Sequence, residues 1–304
     1  MKIIFTGTTE FGIPTLEKLK KNYELVLIIT QPDKPTGRKK ELTPPPIKLW
    51  AQKNNIPLEQ PEKIKDLRLK IKELGADLLL VAAYGQIIPK EILDLPKFDS
   101  INIHGSMLPK YRGASPIQAA LLNGDEETGI TLIKMDEKMD HGPIIAKQRV
   151  AIDDADNFDS LYKKLANTAA DLIERILPDW FAGKIKPGEQ VHSIATYTKL
   201  LTRIDAKIDW TKTARQISNQ IRALNPEPGT WTTLDGKIVK ILTAKKLSET
   251  KIELPGKIFN QSGEMGVKCQ DTSLIIERIQ PEGKNPMTGR DFLNGLKTGS
   301  KIFV

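Results

Sequence analysis

Short, nearly uninterrupted apolar runs alternate with helix-length segments through the first half of the chain. This alternation limits its fold more than any other feature. Lys2–Phe5, Glu24–Thr30, Asp77–Ala83 and Asp99–Ile103 are each rich in Ile, Val or Leu, and the last three follow segments of helical character around Ile13–Lys21, Ile64–Leu74 and Pro89–Leu93. Strands that are apolar on both faces must be covered on both faces, which predicts an open α/β domain with a doubly wound parallel sheet. Ile117–Leu122 continues the helices, and Gly129–Met135 and Ile144–Ile152 read as further strands. Asn157–Phe181 then sets Leu161, Leu165, Ala169, Leu172 and Ile176 at helical spacing, with Asp156 or Asn157 as the cap.

A chain of 304 residues favours two domains, because single cores rarely grow past roughly 250–300 residues. The polar stretch Gly183–Thr202 has no sustained period and reads as the connection. Past it, Thr213–Leu224 has helical spacing and stops at Asn225-Pro226-Glu227-Pro228-Gly229. Ile238–Leu242, Gly256–Phe259, Gly266–Cys269 and Ser273–Ile279 are short strand-like runs punctuated by Gly and Pro, the pattern of a small β-barrel. The expected division is 1–188, a linker at 189–206, and 207–304.

With 39% hydrophobic and 28% charged residues, the chain can bury a core and is not of disordered composition. No apolar run approaches the ~20 residues of a membrane span. Ile3-Ile4-Phe5 is too short for a signal peptide's apolar region, so a cytoplasmic location is expected. The single Cys269 permits no internal disulfide and reads as a small core residue. Residues 201–304 carry 17 Lys/Arg against 11 Asp/Glu, which is most of the net charge of +8. Clustered Lys/Arg suits a polyanionic partner, although ordinary solubilising charge gives the same composition.

Gly7-Thr8-Thr9-Glu10-Phe11-Gly12 follows the first strand and opens a helix, where a dinucleotide fingerprint would sit. It lacks the G-x-G-x-x-G spacing, which disfavours a nucleotide there. Polar residues gather instead where the Asp99–Ile103 strand ends. Asn102 and His104 are two residues apart and therefore share one face. Asp140 lies in a second polar turn, Met139-Asp140-His141-Gly142, and could converge with them at one rim. An Asn, a His and an Asp suit acyl transfer to an amine: a hydrogen-bond donor for the oxyanion, a group to move protons, and a carboxylate to orient it. The residues alone leave open a satisfied polar strand end. Three scattered histidines and one cysteine give no metal spacing.

The run from Ile101 to Gln118 contains Asn102-Ile103-His104, Ser106-Met107-Leu108-Pro109 and Arg112-Gly113-Ala114-Ser115-Pro116-Ile117. It closely resembles the signature of the folate-dependent formyltransferases: N-x-H, then S-L-L-P, then R-G-x-x-P-I. Glu127-Thr128-Gly129-Ile130-Thr131 and the stretch Met135 to Gly142 are similar to that superfamily too. The resemblance implies a Rossmann-like catalytic domain at 1–188 with Asn102, His104 and Asp140 as its triad. It further implies that Ser106, Met107, Leu108 and Pro109 form part of the site for 10-formyltetrahydrofolate as co-substrate.

Within the superfamily the likeness is greatest to the family that formylates methionyl-tRNA. Gly7–Gly12, Gln31–Arg38 and Ala83–Pro89 resemble its shared blocks in order. Ile208-Asp209-Trp210 and the segment Arg222 to Trp231 resemble the start of its OB-like, tRNA-binding domain, here 207–304. The resemblance implies methionyl initiator tRNA as formyl acceptor; the short apolar runs predict no membrane association, and a monomer is expected. The resemblance places Arg38, Lys39 and Lys40 in a basic loop that meets the tRNA. Pro32, Pro35 and Pro44–Pro46 bracket that loop, which predicts an exposed segment without regular structure. Sugar-nucleotide N-formyltransferases share the triad and are the alternative within the superfamily. A catalytically silent tRNA-binding protein is the alternative outside it. Thr9, Met107 and His141 depart from the usual Pro, Leu and Thr, and none removes a triad residue.

Overall fold

A computed structural model describes residues 1–37, 40–247, 254–296 and 301–304. They group into two compact units, one of Met1–Pro116, Glu127–Ala151 and Leu161–Thr198, the other of Ile117–Glu126, Ile152–Ser160 and Lys199–Val304.

The chain begins β1 (Lys2–Gly7), α1 (Ile13–Asn22), β2 (Glu24–Ile29), β3 (Lys34–Thr36), β4 (Glu41–Thr43), α2 (Pro46–Lys53) and β5 (Leu58–Glu59). It continues α3 (Arg68–Leu74), β6 (Leu78–Ala82), α4 (Lys90–Leu93), β7 (Ser100–His104), β8 (Arg112–Gly113) and α5 (Pro116–Asn123). Then come β9 (Glu127–Lys134), β10 (Ile144–Ala151), α6 (Phe158–Phe181) and β11 (Tyr197–Thr198). Seven of these strands form one sheet in the order β10-β9-β7-β6-β1-β2-β5. From β5 to β7 all neighbours are parallel, as the apolar runs predict. Ile3, Ile4, Phe5, Leu78, Leu79 and Leu80 are wholly buried there. The strand order reverses between β1 and β6, so the crevice of this fold opens at the carboxyl ends of the parallel strands.

The sheet is mixed rather than parallel throughout, because β9 and β10 are antiparallel at the β7 edge. No crossover helix lies between β9 and β10, so antiparallel pairing is the geometry their short connection allows. Buried and less buried residues alternate along β10, as on an edge strand with one solvated face. On α6, Leu161, Leu165, Ala169 and Leu172 are buried as expected, and Leu177 rather than Ile176 completes the stripe. Asn157 caps the helix by accepting the Ser160 N–H at 3.0 Å.

Two segments are more regular than the sequence indicates. Lys34–Thr36 and Glu41–Thr43 pair as an exposed antiparallel hairpin, with Pro35 opposite Leu42. On a two-stranded ribbon every second N–H points away from the partner, so a residue without one is tolerated there. Pro45 and Pro46 then sit at the N-cap and first position of α2, where a missing N–H costs no helical bond. The aperiodic stretch after α6 is also ordered: Gly188 pairs with Ile144, and β11 pairs with β8.

The second unit carries α7 (Ala214–Leu224), β12 (Trp231–Leu234), β13 (Lys237–Leu247), β14 (Ile258–Gln261), β15 (Glu264–Lys268), β16 (Ser273–Pro281), β17 (Met287–Thr288) and α8 (Gly289–Asn294). Thr213 and Gln216 form a reciprocal capping box at the start of α7. The antiparallel order is β12-β13-β16-β15-β14, with β17 beside β16. Residues 301–304 join the two outer strands. Val304 exchanges backbone hydrogen bonds with Thr233, and the Ile258 and Phe303 N–H groups bond Lys301 and Gly256 carbonyls. The sheet therefore curls into a small barrel with few free edges. Its core holds Trp210, Ile217, Ile241, Val267, Ile276 and Phe303, together with Cys269. Burial pushes the Cys269 thiol up to about 12, in keeping with a packing role.

Candidate active site

β7 lies between β6 and β9, with Asn102 opposite Val81 and Ile133, and His104 opposite Thr131. The two polar side chains meet on one face, as the strand period requires. Asn102 Nδ2 donates to Asp140 Oδ1 at 3.2 Å, and His104 Nδ1 lies 3.5 Å from the same oxygen. His104 Nε2 is 2.9 Å from the Tyr111 carbonyl oxygen. A carbonyl only accepts, so this nitrogen carries a hydrogen and the ring is fixed with Nδ1 toward Asp140. The His104 ring is only 6% exposed and the Asp140 side chain 12%.

Asp140 reaches this strand end because the β9–β10 loop folds back across the sheet. The Lys134 N–H donates to Pro143 at 2.9 Å, closing the loop's base. A Cβ on Gly142 would stand 1.9 Å from the Lys134 carbonyl oxygen, so only glycine fits there. Asp140 itself has φ +49°, a left-handed conformation that Asp tolerates better than most residues. The Gly113 N–H donates to its Oδ2 at 2.7 Å. Both carboxylate oxygens are thus directed.

Ser106, Met107, Leu108 and Pro109 follow β7 as a tight turn beside this cluster. Ser106 and Leu108 are wholly buried, while Met107 and Pro109 keep partly exposed surface. The Ser106 hydroxyl donates to the Lys110 carbonyl at 2.5 Å, and the Leu108 N–H donates to Thr131 Oγ1 at 3.1 Å. The Met107 side chain lies against β9 at Gly129, where a Cβ would stand 2.5 Å from Met107 Sδ. Thr9 Oγ1 accepts a hydrogen bond from the Tyr162 hydroxyl at 2.8 Å. Lys40 is exposed in the turn between β3 and β4, and Arg38 and Lys39 lie outside the described residues.

Residues with no role assigned from sequence surround Asp140. Gln190 is buried and donates to the Asp140 and Gly142 carbonyls at 2.9 and 2.7 Å. Arg112, 1% exposed, bonds Gln190 Oε1 through Nε and Nη2. His141 turns away from the triad: its Nδ1 bonds Asp136 Oδ2 at 2.6 Å and its ring stacks on His192 at 4.0 Å. A cavity of about 410 Å³ beyond the same loop is lined by Lys90, Asp99, Lys134, Glu137, Lys138 and His141, and includes none of the triad. Several of its charges pair with one another, as in Lys134–Asp99 at 2.8 Å and His141–Asp136 at 2.6 Å. Among the described residues no group of three or more His, Cys, Asp or Glu side chains could hold a metal ion.

His192 titrates below its ordinary value of 6.5, because loss of solvent around the ring and the nearby His141 and Arg112 disfavour a second proton. Its Nδ1 sits 2.8 Å from Arg112 Nη2, a contact that only the unprotonated nitrogen can accept. As pH falls through 6.5 the unfolded chain takes this proton before the folded one, so the stability contributed above 6.5 is lost toward the lower folded value. His192→Asn keeps an acceptor that does not titrate, and its melting temperature should fall less than the wild type's between about pH 7 and pH 5.5. Parallel melting curves for the two proteins would rule out His192 as a source of acid sensitivity.

Residues 1–177 match the formyl transferase family, and residues 200–297 match the formyl transferase C-terminal domain. The chain belongs to the formyl transferase family. This formyl transferase is 42% identical over 299 residues to the methionyl-tRNA formyltransferase of Bacillus velezensis, covering 97% of this chain and 94% of that one. It is 42% identical over 310 residues to the methionyl-tRNA formyltransferase of Halalkalibacterium halodurans, covering 100% and 97%. Among solved structures, WlaRD, a sugar 3N-formyl transferase in the presence of dTDP and 5-N-formyl-THF, aligns with TM-score 0.67 and 23% identity over 94% of this chain and 99% of that one. The N-formyltransferase from Helicobacter canadensis, in complex with folinic acid and dTDP-3-aminofucose, aligns with TM-score 0.69 and 21% identity, over 92% and 99%. At those identities the two structures speak for the shared fold alone. Among the described residues no helix is long and apolar enough to cross a membrane.

Proposed function

We infer that this formyl transferase moves the formyl group of 10-formyltetrahydrofolate to the α-amino group of methionyl initiator tRNA. The formylated product serves translation initiation. The observation that carries this is 42% identity to relatives named methionyl-tRNA formyltransferase along both domains. We assign catalysis to a domain at 1–188, a linker to 189–206, and tRNA binding to the OB-like domain at 207–304. The chain acts as a monomer in the cytoplasm.

The folate supplies an activated formyl carbon, and the partly exposed faces of Asn102, Met107 and Pro109 suit such a ligand. Met107 and Pro109 offer the folate their surface, while Ser106 and Leu108 hold the wall from within. Asn102 donates a hydrogen bond to the formyl oxygen as it gains negative charge. The amine nitrogen bonds the formyl carbon and the bond from that carbon to the folate nitrogen breaks. One proton must leave the amine and one must reach the departing nitrogen. His104 and Asp140 carry that exchange.

The direct test is formyl transfer from 10-formyltetrahydrofolate to methionyl initiator tRNA, run beside amino-sugar nucleotides. Transfer to the sugars alone would overturn the tRNA reading. We also place Arg38, Lys39 and Lys40 against the tRNA, since a guanidinium grips phosphate or base edges bidentately and the flanking strands β3 and β4 are exposed. Arg38→Ala should lower kcat/KM for methionyl-tRNA by about 10- to 10²-fold with folate binding unchanged. Neutralising Lys39 and Lys40 should reduce the salt slope of tRNA binding by about one unit per lost phosphate contact. Unchanged tRNA affinity and salt slope in all three variants would remove this loop from the interface.

A further inference from the structure

The disfavoured backbone of Asp140 needs something to hold it, and the side chain that does so is neither in the triad nor in the folate wall. Gln190 is 4% exposed, and its amide is fully used. Nε2 donates to the carbonyls on either side of His141, at 2.9 Å to Asp140 and 2.7 Å to Gly142. Oε1 accepts from Arg112 Nε at 3.2 Å and Nη2 at 2.7 Å. A guanidinium has only donors and a carbonyl only accepts, so the amide can be oriented one way alone. Arg112 is itself fixed from behind: Nη1 donates to the Tyr197 hydroxyl at 3.2 Å and Nη2 contacts His192 Nδ1 at 2.8 Å. Among the described residues no carboxylate pairs with this buried guanidinium, so its hydrogen bonds to Gln190 are charge-assisted and strong.

We propose that Gln190 is the positioning residue of this active site: its amide, aimed by buried Arg112, fixes the backbone of Asp140 and so sets that carboxylate against His104. The proposal rests on the reading of Asp140 as catalytic. Its physical content is that φ +49° at Asp140 is a conformation a residue with a Cβ leaves unless its surroundings hold it there. The carboxylate's own bonds, to Gly113 and Asn102, direct its oxygens but do not hold its peptide. Without Gln190 the loop relaxes and the 3.5 Å approach of His104 Nδ1 to Asp140 is lost.

Two substitutions separate positioning from mere support of Arg112. Gln190→Met removes the whole clamp. Gln190→Glu keeps an acceptor for Arg112 and replaces the two donors that face Asp140 and Gly142 with acceptors. Both should lower kcat for methionyl-tRNA by about 10- to 10²-fold, the scale of a small misplacement of a reacting group, with KM for either substrate unchanged. Wild-type kcat in Gln190→Glu would overturn the proposal, because Gln190 would then serve only Arg112. In an Asp140→Asn background, Gln190→Glu should cost nothing further, and an additive loss would equally overturn it. Wild-type turnover in Asp140→Asn alone would instead remove the reading beneath the proposal, a result distinct from failure of Gln190. Thermal unfolding of each variant shows whether the loss is one of fold.

Discussion

Replacing His104 with alanine, or Asp140 with asparagine, is expected to lower kcat by about 10²- to 10⁴-fold, the usual contribution of a positioned proton-transfer group. Their geometry makes them one unit. The Tyr111 carbonyl fixes the His104 ring through Nε2, and the Asp140 oxygen that faces Nδ1 at 3.5 Å is also the one Asn102 bonds. Removing the imidazole takes away one of the two groups to which we assign the proton exchange. Removing the carboxylate takes from the ring the oxygen that its Nδ1 faces at 3.5 Å. Asparagine is chosen at 140 because it tolerates left-handed backbone at least as well as aspartate, so the loop keeps its shape. The double variant should lose little more than the worse single one, since groups acting together are not additive. Initial rates at saturating folate and tRNA, with circular dichroism as the control for folding, decide the matter. Wild-type-like kcat in either variant would take that residue out of the chemistry.

What could be read in the sequence followed from periodicity. Continuous apolar runs foretold the parallel strands, and a spacing of two put Asn102 and His104 on one face. Asp140 was legible as a polar residue in a turn, but not the route by which it arrives. That route depends on a loop that folds back because Gly142 has no Cβ to strike Lys134, a tertiary fact with no local pattern. Gln190 was hidden for a sharper reason. In its stretch the polar residue is buried while Val191 and Ile194 are exposed, the inverse of what hydropathy reads. A buried amide there is stable only because Arg112 and two carbonyls use all its hydrogen-bonding capacity, and those partners are 78, 50 and 48 residues away. Arg112 stood in plain view within the recognised run, yet charge alone suggests a surface residue. The β3–β4 hairpin was missed because Pro35 argues against a strand, and only an unpaired side of a two-stranded ribbon excuses it.

Asn102→Ala should cost about 10²- to 10³-fold in kcat, the range for removing one oxyanion donor. Among the described residues Asn102 Nδ2 makes one hydrogen bond, at 3.2 Å to Asp140, so its second hydrogen is available to a carbonyl oxygen. The bond to Asp140 also orients the amide, which means the donor is already aimed before substrate arrives. A formyl oxygen is a modest acceptor in the bound substrate and a strong one once the amine adds. The loss should therefore fall on kcat, with KM for folate and tRNA nearly unchanged. Asn102→Asp keeps the shape but replaces the donor with an acceptor and sets a second carboxylate against Asp140. It should be at least as damaging as alanine, since repulsion is added to the missing hydrogen bond. A KM effect with kcat intact would make Asn102 a substrate-binding group, and the oxyanion would then need another donor.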